Sequence, residues 1–463
     1  MNISLIGYGL TTRAIARYLG GGQTFYDDRT TELRTDEEGN TILPSAMFDP
    51  QQSDLEILTP SIPPHHPLLT KAKNPVSEYD FFLAPQYAIQ HPTSNILYPP
   101  SSINHQPSTI NYQPSAIHHQ PSTISHRPSA IDHQPSSTRY PLPATRSKPF
   151  TVWISGTNGK TTTTQMLTHL LAERGAVAGG NIGTPLADLD PQAPIWVLET
   201  SSYTLHHTRT ASPDIYLLLP ITPDHLDWHG DAEAYTADKL RPLRTMREGE
   251  LALVPKGLDL PPTDAWVVEY DSIDFLAGFF DIDPDRIDFR AAFLEDAMLS
   301  LAITRTLFDE VDYDRINTFR LDHHRQEEIT DAQGRLWVND SKATNVDATL
   351  QALRAYGDRP IHLILGGDDK GVDLHGLMDT IAPMEITLYT VGSNNDRLVA
   401  MAKERAIPVH NCHTVENAVR TIHPRLDRDE VALLSPAASS LDQFPSYVKR
   451  GETFIETVKN LSD

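Results

Sequence analysis

The segment that decides the fold is Thr151-Val152-Trp153-Ile154-Ser155-Gly156-Thr157-Asn158-Gly159-Lys160-Thr161-Thr162. In its first half, apolar residues alternate with polar or large ones, which predicts a short buried strand. A helix with one apolar face follows and is expected to stop at Gly175. A strand, a glycine turn, Lys-Thr and a helix form a phosphate cradle. Glycines let backbone N–H groups approach the phosphates, and the helix N-terminus adds partial positive charge.

Within this cradle we expect Lys160 to reach the β- and γ-phosphates of a nucleotide and the Thr161 hydroxyl to bind Mg²⁺. The match falls short of the full Walker A pattern, because Ile154 occupies the position of its first glycine. The alternative is a glycine turn that only joins a strand to a helix. The Gly-Lys-Thr-Thr run between a strand and a helix favours the nucleotide site.

Composition limits the classes of protein that fit. A length of 463 residues predicts two to four domains. The net charge of −23 disfavours a nucleic-acid partner, although solubility alone also explains it. The single cysteine, Cys412, excludes an intramolecular disulfide. The sequence lacks an apolar run long enough for a membrane helix and a signal-type N-terminus, so we expect a cytoplasmic protein without membrane insertion.

The N-terminus carries a weaker nucleotide signal. A strand over residues 2–6 leads into Gly7-Tyr8-Gly9-Leu10-Thr11-Thr12, a dinucleotide-type turn in which Thr12 replaces the third glycine. Asp27 and Asp28 follow about 20 residues later, where a ribose ligand is expected. NAD, another nucleotide, or simply the first turn of a doubly wound sheet explain this pattern equally well.

A repeat interrupts the chain between residues 99 and 148. Gln-Pro-Ser or Arg-Pro-Ser recurs every seven residues, and one proline per repeat forbids a helical coiled coil. One isoleucine per repeat is too little apolar surface to offset chain entropy. We predict a disordered, partly polyproline-II linker. A metal site made of its histidines is a weaker alternative, because the segment has no fixed geometry.

Strands alternate with helices on both sides of this linker, which predicts an α/β protein with mostly parallel sheets. We predict a Rossmann-like N-terminal domain over residues 1–98 and the linker over 99–148. A central domain with a phosphate-loop ATPase-like sheet is predicted over 149–321, and a C-terminal Rossmann-like domain over 322–463.

Three residues after the cradle predict a second cation site. Glu199 and His225 each follow a predicted strand, and Lys239 lies on the next helix. The first two are able to bind Mg²⁺, although Mg²⁺ prefers oxygen. A lysine beside a metal ion is unfavourable as an ammonium, but a carbamate on Nζ would convert it to an anion. Each of the three residues alone has an ordinary structural explanation. Because all three follow a phosphate cradle in this order, a purely structural explanation of the set is improbable.

The cradle and these residues resemble the Mur ligase family, the ATP-dependent amino-acid-adding enzymes of peptidoglycan assembly. The matching segments are Gly156–Thr162, Glu199-Thr200-Ser201-Ser202, Asp224-His225-Leu226-Asp227 and Lys239-Leu240. Three later segments resemble the branch that adds D-glutamate: Asn339–Asn345, Leu365–Lys370 and Ser435–Phe444. The resemblance covers nearly the whole chain outside the repeats.

This resemblance implies roles for individual residues. The catalytic set would be Lys160, Glu199, His225 and Lys239. ATP would be bound by Gly156, Thr157, Asn158, Gly159, Lys160, Thr161, Thr162, Arg325 and Asp340. Mg²⁺ would be bound by Thr161, Glu199, His225 and carbamylated Lys239. The UDP-sugar would be bound by Leu10, Thr11, Asp28, Arg29 and Asn181, which favours a uridine nucleotide over NAD. D-glutamate would be bound by Lys342, Thr344, Lys370, Ser440, Leu441 and Tyr447.

The implied reaction is ATP-dependent joining of D-glutamate to UDP-N-acetylmuramoyl-L-alanine through an acyl phosphate, in cytoplasmic cell-wall synthesis. ATP and Mg²⁺ would be the cofactors, small molecules the partners, and a monomer the expected state. The family's usual His-Asn-x-x-Asn run is replaced here by residues 292–296, so adenine must be held differently. Three rivals stay open: another Mur ligase or a folyl-polyglutamate synthase, a binding protein that has lost catalysis, and an NAD-dependent dehydrogenase.

Overall fold

Three six-stranded sheets, each flanked by helices, follow one another along the computed structural model, which describes residues 2–84 and 148–461. The predicted α/β class with mostly parallel sheets is confirmed. The predicted repeat linker and its histidines lie almost wholly outside the described residues. Within the described parts, no helix combines the length and the apolar character needed to cross a bilayer.

The N-terminal sheet has the strand order β3-β4-β2-β1-β5-β6, and only β3 runs antiparallel to its neighbour. Its strands are β1 (Ile3–Ile6), β2 (Thr24–Asp27), β3 (Arg34–Thr35), β4 (Thr41–Pro44), β5 (Leu55–Leu58) and β6 (Pro75–Val76). Its helices are α1 (Leu10–Tyr18), α2 (Pro67–Lys71) and α3 (Glu78–Leu83). The glycine turn after β1 therefore opens α1, as the fingerprint predicted.

The central sheet is parallel throughout, in the order β12-β11-β10-β7-β9-β8. Its strands are β7 (Phe150–Ser155), β8 (Ala176–Gly180), β9 (Ile195–Glu199), β10 (Ile215–Leu218), β11 (Leu251–Pro255) and β12 (Trp266–Tyr270). Its helices are α4 (Lys160–Leu171), α5 (Ser202–His207), α6 (Leu226–His229), α7 (Ala232–Leu240), α8 (Ile273–Phe280), α9 (Ala291–Phe308) and α10 (Tyr313–Thr318). Because β7 lies between β10 and β9, the segments following all three strands meet at one edge.

The C-terminal sheet has the order β13-β14-β18-β15-β16-β17, and β13 alone is antiparallel to its neighbour. Its strands are β13 (Glu327–Thr330), β14 (Leu336–Asn339), β15 (Ile361–Gly366), β16 (Ile386–Val391), β17 (Val409–His413) and β18 (Val431–Leu434). Its helices are α11 (Val346–Tyr356), α12 (His375–Ile381), α13 (Asn395–Glu404), α14 (Val415–Ile422) and α15 (Tyr447–Lys459).

Helix α3 joins the N-terminal and central sheets. The ring of Tyr79 packs edge-on against Trp153 of β7, with 4.8 Å between centroids, and its hydroxyl donates to the backbone oxygen of Glu199 at 3.1 Å. The Asp80 carboxylate accepts backbone N–H bonds from residues 209, 210 and 211 at 2.8–2.9 Å. The last helix of the N-terminal part is thus part of the packing around the central sheet.

Candidate active site

The phosphate loop lies at the carboxyl end of the central strand β7. Its two glycines have positive φ, 141° at Gly156 and 80° at Gly159. A Cβ at Gly156 would lie 2.5 Å from the Leu219 side chain, and one at Gly159 would lie 2.7 Å from an Asp296 oxygen. Both positions therefore require glycine, and this backbone conformation fits the glycine turn of a phosphate cradle.

Two lysine amino groups converge on this loop. The backbone oxygen of Gly156 accepts hydrogen bonds from Lys160 Nζ at 3.0 Å and from Lys239 Nζ at 2.7 Å. Burial lowers the pKa of Lys160, and burial together with the Lys160 charge holds the pKa of Lys239 well below its usual value. The structure thus brings together two predicted catalytic residues and favours a neutral amine at Lys239.

Glu199 supplies a carboxylate oxygen suited to a cation. Its side chain is 3% exposed, and Oε1 accepts a hydrogen bond from Asn181 Nδ2 at 2.7 Å. Oε2 is buried and has no hydrogen-bond partner among the described residues. An unpaired buried carboxylate oxygen is costly unless something positive occupies the space before it. The predicted Mg²⁺ ligand therefore fits a hard cation, whereas Asn181, predicted to contact the UDP-sugar, is engaged with Glu199.

His225 sits in the segment after β10 with a left-handed backbone, φ 52°. The Tyr203 ring lies against it, with 5.0 Å between ring centroids. Burial lowers the pKa of His225 against the opposing charge of Asp224, and the charges of Lys160 and Lys370 act in the same direction as burial. The imidazole is therefore neutral near pH 7, the form that ligates metal ions.

Residues of the C-terminal sheet face the same loop. Asn345 Nδ2 donates to Asn158 Oδ1 at 3.4 Å, and Asn158 Nδ2 donates to the Asp347 carboxylate. Arg325 lies near enough for its charge to lower the pKa of Lys160, after the larger effect of burial, and its buried Nε has no hydrogen-bond partner among the described residues. An unpaired guanidinium N–H at this position suits a phosphate oxygen.

The predicted D-glutamate residues come from three loops and one helix. Asp368 and Ser439 exchange backbone hydrogen bonds of 2.9 Å, which joins the loop carrying Lys370 to the loop carrying Ser440 and Leu441. Lys342 Nζ lies 5.6 Å from the centre of the Tyr447 ring. Ser440 is buried, while Thr344, Lys370 and Leu441 are exposed. Lys370 also lies near enough to His225 for its charge to lower the pKa of that imidazole, so this member of the set faces a proposed cation ligand.

Asp340, predicted to contact ATP, points into its own domain. Its carboxylate accepts hydrogen bonds from Ser435 Oγ at 2.9 Å and from the Gln326 backbone N–H at 3.2 Å. Burial raises the pKa of Asp340 to about 7. With these hydrogen bonds, Asp340 supports the segment that carries Arg325. Its direct contact with the nucleotide stays a prediction.

The predicted UDP-sugar residues of the N-terminal sheet lie at the carboxyl ends of β1 and β2. Leu10 and Thr11 begin α1, and Leu10 is 52% exposed. Asp28 pairs with His66, and the Arg29 guanidinium pairs with Asp27 at 3.2 Å. Four of the five predicted residues thus share one sheet edge; the fifth, Asn181, lies beside Glu199.

One residue beneath the phosphate loop was not assigned a role from the sequence. Asp296 of α9 accepts a hydrogen bond from Thr163 Oγ1 at 2.9 Å and lies against Gly159. Burial raises the pKa of Asp296 to about 8; Glu295 raises it further, while Thr163 and Arg325 lower it. Below that pH the side chain is an uncharged acid, which suits a position under bound phosphates. The only signal in the sequence was the altered 292–296 run.

Replacing Asp296 with asparagine is expected to reduce the loss of stability as the pH rises from 6 to 8. The folded-state pKa lies above the usual value for an aspartate, so between about pH 4 and 8 the folded state binds the extra proton and stability falls as pH rises. The amide removes this effect. Between pH 6 and pH 8 the thermal midpoint of the variant should gain about 2–8 °C on the parent, corresponding to about 1–2 kcal/mol.

Differential scanning fluorimetry at both pH values measures this difference. Asp288→Asn, which changes an exposed acid just before α9, is the matched control and should follow the parent. An Asp296→Asn curve parallel to that of the parent would contradict a protonated Asp296.

Comparisons with known proteins agree with this arrangement. The Mur ligase middle domain model matches residues 154–261, and the Mur ligase, glutamate ligase domain model matches residues 324–438. The chain is 44% identical to the UDP-N-acetylmuramoylalanine--D-glutamate ligase of Campylobacter jejuni, covering 100% of both chains. It is 39% identical to the Helicobacter pylori protein of the same name, covering 98% of both.

Solved structures share the fold at low sequence identity. MurF from Acinetobacter baumannii superposes with a TM-score of 0.52 at 16% identity, covering 66% of this chain and 76% of that one. MurC from Thermotoga maritima superposes with a TM-score of 0.50 at 13% identity, covering 98% of both.

The matched domains and the phosphate cradle place the protein among the multidomain α/β ligases that use ATP. With full-length relatives at 44% identity, the chain belongs to the Mur ligase family, whose members catalyse ATP-dependent ligation in peptidoglycan precursor synthesis. The family resemblance expected from the sequence is confirmed.

Proposed function

We propose that the protein joins D-glutamate to UDP-N-acetylmuramoyl-L-alanine in the cytoplasm, releasing ADP and phosphate, and works as a monomer. The observation that carries this proposal is that two sets of residues, one in the central domain and one in the C-terminal domain, face each other. The phosphate cradle around Lys160 lies opposite basic groups of the C-terminal domain, with Arg325 acting on Lys160 and Lys370 on His225. Relatives named for this reaction at 44% and 39% identity support it.

The reaction first has to activate a poor electrophile. The alanyl carboxylate of the UDP-sugar attacks the γ-phosphorus of ATP; an O–P bond forms, the bond to ADP breaks, and an acyl phosphate results. Lys160, released from the Gly156 and Thr157 oxygens, would stabilise charge on the transferring group. Thr161, Glu199 and His225 would hold Mg²⁺, which when bound neutralises phosphate charge.

The second half of the reaction forms the amide. The amine of D-glutamate attacks the acyl carbon, the C–O bond to phosphate breaks, and the nitrogen loses a proton. Lys342 and Lys370 would bind the two carboxylates of D-glutamate, which gives the acidic amino acid a basic site in a protein of net charge −23. Thr344, Ser440, Leu441 and Tyr447 would complete this site, and Leu10, Thr11, Asp28, Arg29 and Asn181 would hold the UDP-sugar.

Lys239 is proposed to act as a carbamate. Its side chain is 1% exposed, and its depressed pKa leaves the amine lone pair free to attack CO₂. A C–N bond forms and one proton leaves, so the group changes from a base to an anion. The remaining N–H would be able to keep the bond to Gly156, and the two new oxygens would supply the negative charge that a cation site needs.

A phosphate-release assay tests the function directly. With ATP, Mg²⁺ and UDP-N-acetylmuramoyl-L-alanine, phosphate should appear with D-glutamate and not with L-glutamate, L-lysine, meso-diaminopimelate or D-alanyl-D-alanine. Release with another amino acid would assign a different ligase activity. Absence of release with all of them, despite ATP binding, would favour a binding protein that has lost catalysis.

Deleting residues 101–147 is expected to leave the steady-state rate within about threefold of the parent. The described segments before and after the deletion pack together, because Ala84 and Trp153 are both buried in one apolar cluster. Residues 85–100 remain to link them, and added or removed loop length changes closure entropy only slowly. The phosphate-release rate and the thermal midpoint measure the effect. A deletion variant that does not fold would show that the repeats are structural.

A further inference from the structure

A buried chain of hydrogen bonds lies directly behind the proposed cation ligands. The Ser202 hydroxyl bonds to His229 Nε2 at 3.0 Å, and His229 Nδ1 bonds to Asp238 Oδ2 at 2.8 Å. The same Asp238 oxygen accepts from His206 Nδ1 at 2.8 Å, and Arg241 donates to the other oxygen at 2.7 Å. A carboxylate only accepts, so Nδ1 of His229 carries the proton and Nε2 accepts from serine.

The order serine, histidine, aspartate matches the hydrogen-bonding pattern of a nucleophilic triad, but the surroundings do not. Ser202 is 3% exposed and His229 8% exposed. A nucleophile has to meet its substrate, and no acyl group reaches a hydroxyl enclosed in this way. The Asp238 carboxylate is also divided among two imidazoles and a guanidinium. These observations favour a structural purpose over a second catalytic centre.

The positions of Ser202, His229 and Asp238 in the sequence indicate what structural role these hydrogen bonds have. Ser202 follows Glu199 by three residues at the start of α5, and Asp238 directly precedes Lys239 on α7. His229 ends α6, whose N-cap is His225. The hydrogen bonds therefore join the three separate segments that carry the proposed Mg²⁺ ligands.

An aromatic contact strengthens the same connection. The Tyr203 ring lies parallel to His229, with an interplanar angle of 6° and 5.7 Å between centroids, and its centroid is 5.0 Å from that of His225. Movement of α6 relative to α5 would disturb this packing and the Ser202 bond together. The arrangement holds α6, which begins after His225, against α5, which follows β9.

We propose that Ser202, His229 and Asp238 are positioning residues that set the spacing of Glu199, His225 and Lys239 for Mg²⁺. This inference rests on the proposed function, since it assumes that these three ligands bind the cation used with ATP. Partners that orient metal ligands typically contribute about 10- to 100-fold to metal affinity. Removing the shared acceptor should therefore weaken cation binding without altering the D-glutamate site, which belongs to another domain.

The test uses Asp238→Asn and His229→Gln in the full chain. Mn²⁺ binding to the enzyme with ATP, followed by electron paramagnetic resonance, should weaken about tenfold or more in each variant. The Mg²⁺ concentration for half-maximal phosphate release should rise by a similar factor, while the KM for D-glutamate stays within about twofold. Ser202→Ala, which removes one bond, should give a smaller change of about two- to fourfold.

Glu233→Gln is the matched control, because it removes an exposed carboxylate from the same helix α7 and should leave both cation measurements unchanged. Circular dichroism identifies folded variants; if Asp238→Asn does not fold, His229→Gln carries the decision. Folded variants with unchanged Mn²⁺ affinity would overturn the inference. Failure of the proposed function would instead appear as absent phosphate release in the parent enzyme, with Mn²⁺ binding still measurable.

Discussion

Replacing Lys160 with alanine is expected to abolish D-glutamate-dependent ADP release, a loss of at least about 1,000-fold. The side chain lies at the start of α4, and its amino group donates to the backbone oxygens of Gly156 and Thr157, at 3.0 and 2.6 Å. These oxygens belong to the loop that would surround the phosphates. The lysine therefore needs only a rotation of its side chain to reach a γ-phosphate.

The size of the effect follows from the charge that develops during transfer. Burial lowers the pKa of Lys160, but a bound triphosphate would supply several negative charges nearby and restore the ammonium form. In a buried site, a fixed positive charge beside the transferring phosphoryl group has a larger effect than in water. Alanine provides neither the charge nor a hydrogen-bond donor, and water in its place carries no compensating charge.

Lys256→Ala is the control for this variant. Lys256 pairs with Asp271 at 3.0 Å on the surface, with 64% of its side chain exposed, and an ion pair this exposed contributes little to stability. Its activity should stay within about twofold of the parent. Coupled-enzyme detection of ADP measures both variants. Turnover retained in a folded Lys160→Ala enzyme would show that ATP binds elsewhere.

The comparison between sequence and structure shows which signals are local. The strand at Phe150–Ser155, the loop after it and a helix that stops at Gly175 were predicted, because the apolar spacing, glycines and Lys-Thr all lie within one short segment. In the structure this helix already begins at Lys160. Glu199 and His225 were predicted as ligands because each follows a predicted strand. Parallel strands then bring their carboxyl ends to a common edge.

Other features depend on contacts that no local pattern contains. The bond between Tyr79 and the Glu199 backbone crosses 120 residues, and that between Thr163 and Asp296 crosses 133. Strand β8 has the sequence Ala-Val-Ala-Gly-Gly, whose β-propensity is low, and it is a strand because β9 supplies a partner. The sequence gives no sign that Asp238 is more than an ordinary helix residue, because the two histidines and the arginine that surround it come together only in the folded protein.

Lys239→Ala is expected to be nearly inactive, at less than about 1% of the parent rate, and to be partly rescued by short-chain carboxylates. Lys239 Nζ is enclosed between the Gly156 oxygen at 2.7 Å and the Tyr235 ring, whose centre lies 4.7 Å away. Burial and the Lys160 charge disfavour an ammonium there. A buried lysine whose positive charge is disfavoured, and which lies beside proposed cation ligands, would become a ligand for the cation once it carries a carbamate.

Truncation to alanine leaves a space of about the length of the lost side chain, next to Lys160 and the cation ligands. Acetate or propionate would place a carboxylate where the carbamate oxygens had been, so phosphate release should recover at least about tenfold as the added acid approaches saturation. Lys239→Arg is the matched variant, because guanidinium does not form a carbamate and fills the space. It should be inactive and unaffected by propionate. Full activity of Lys239→Ala without any added acid would exclude the carbamate, and equal stimulation of the Lys256→Ala enzyme would show that the acid acts elsewhere.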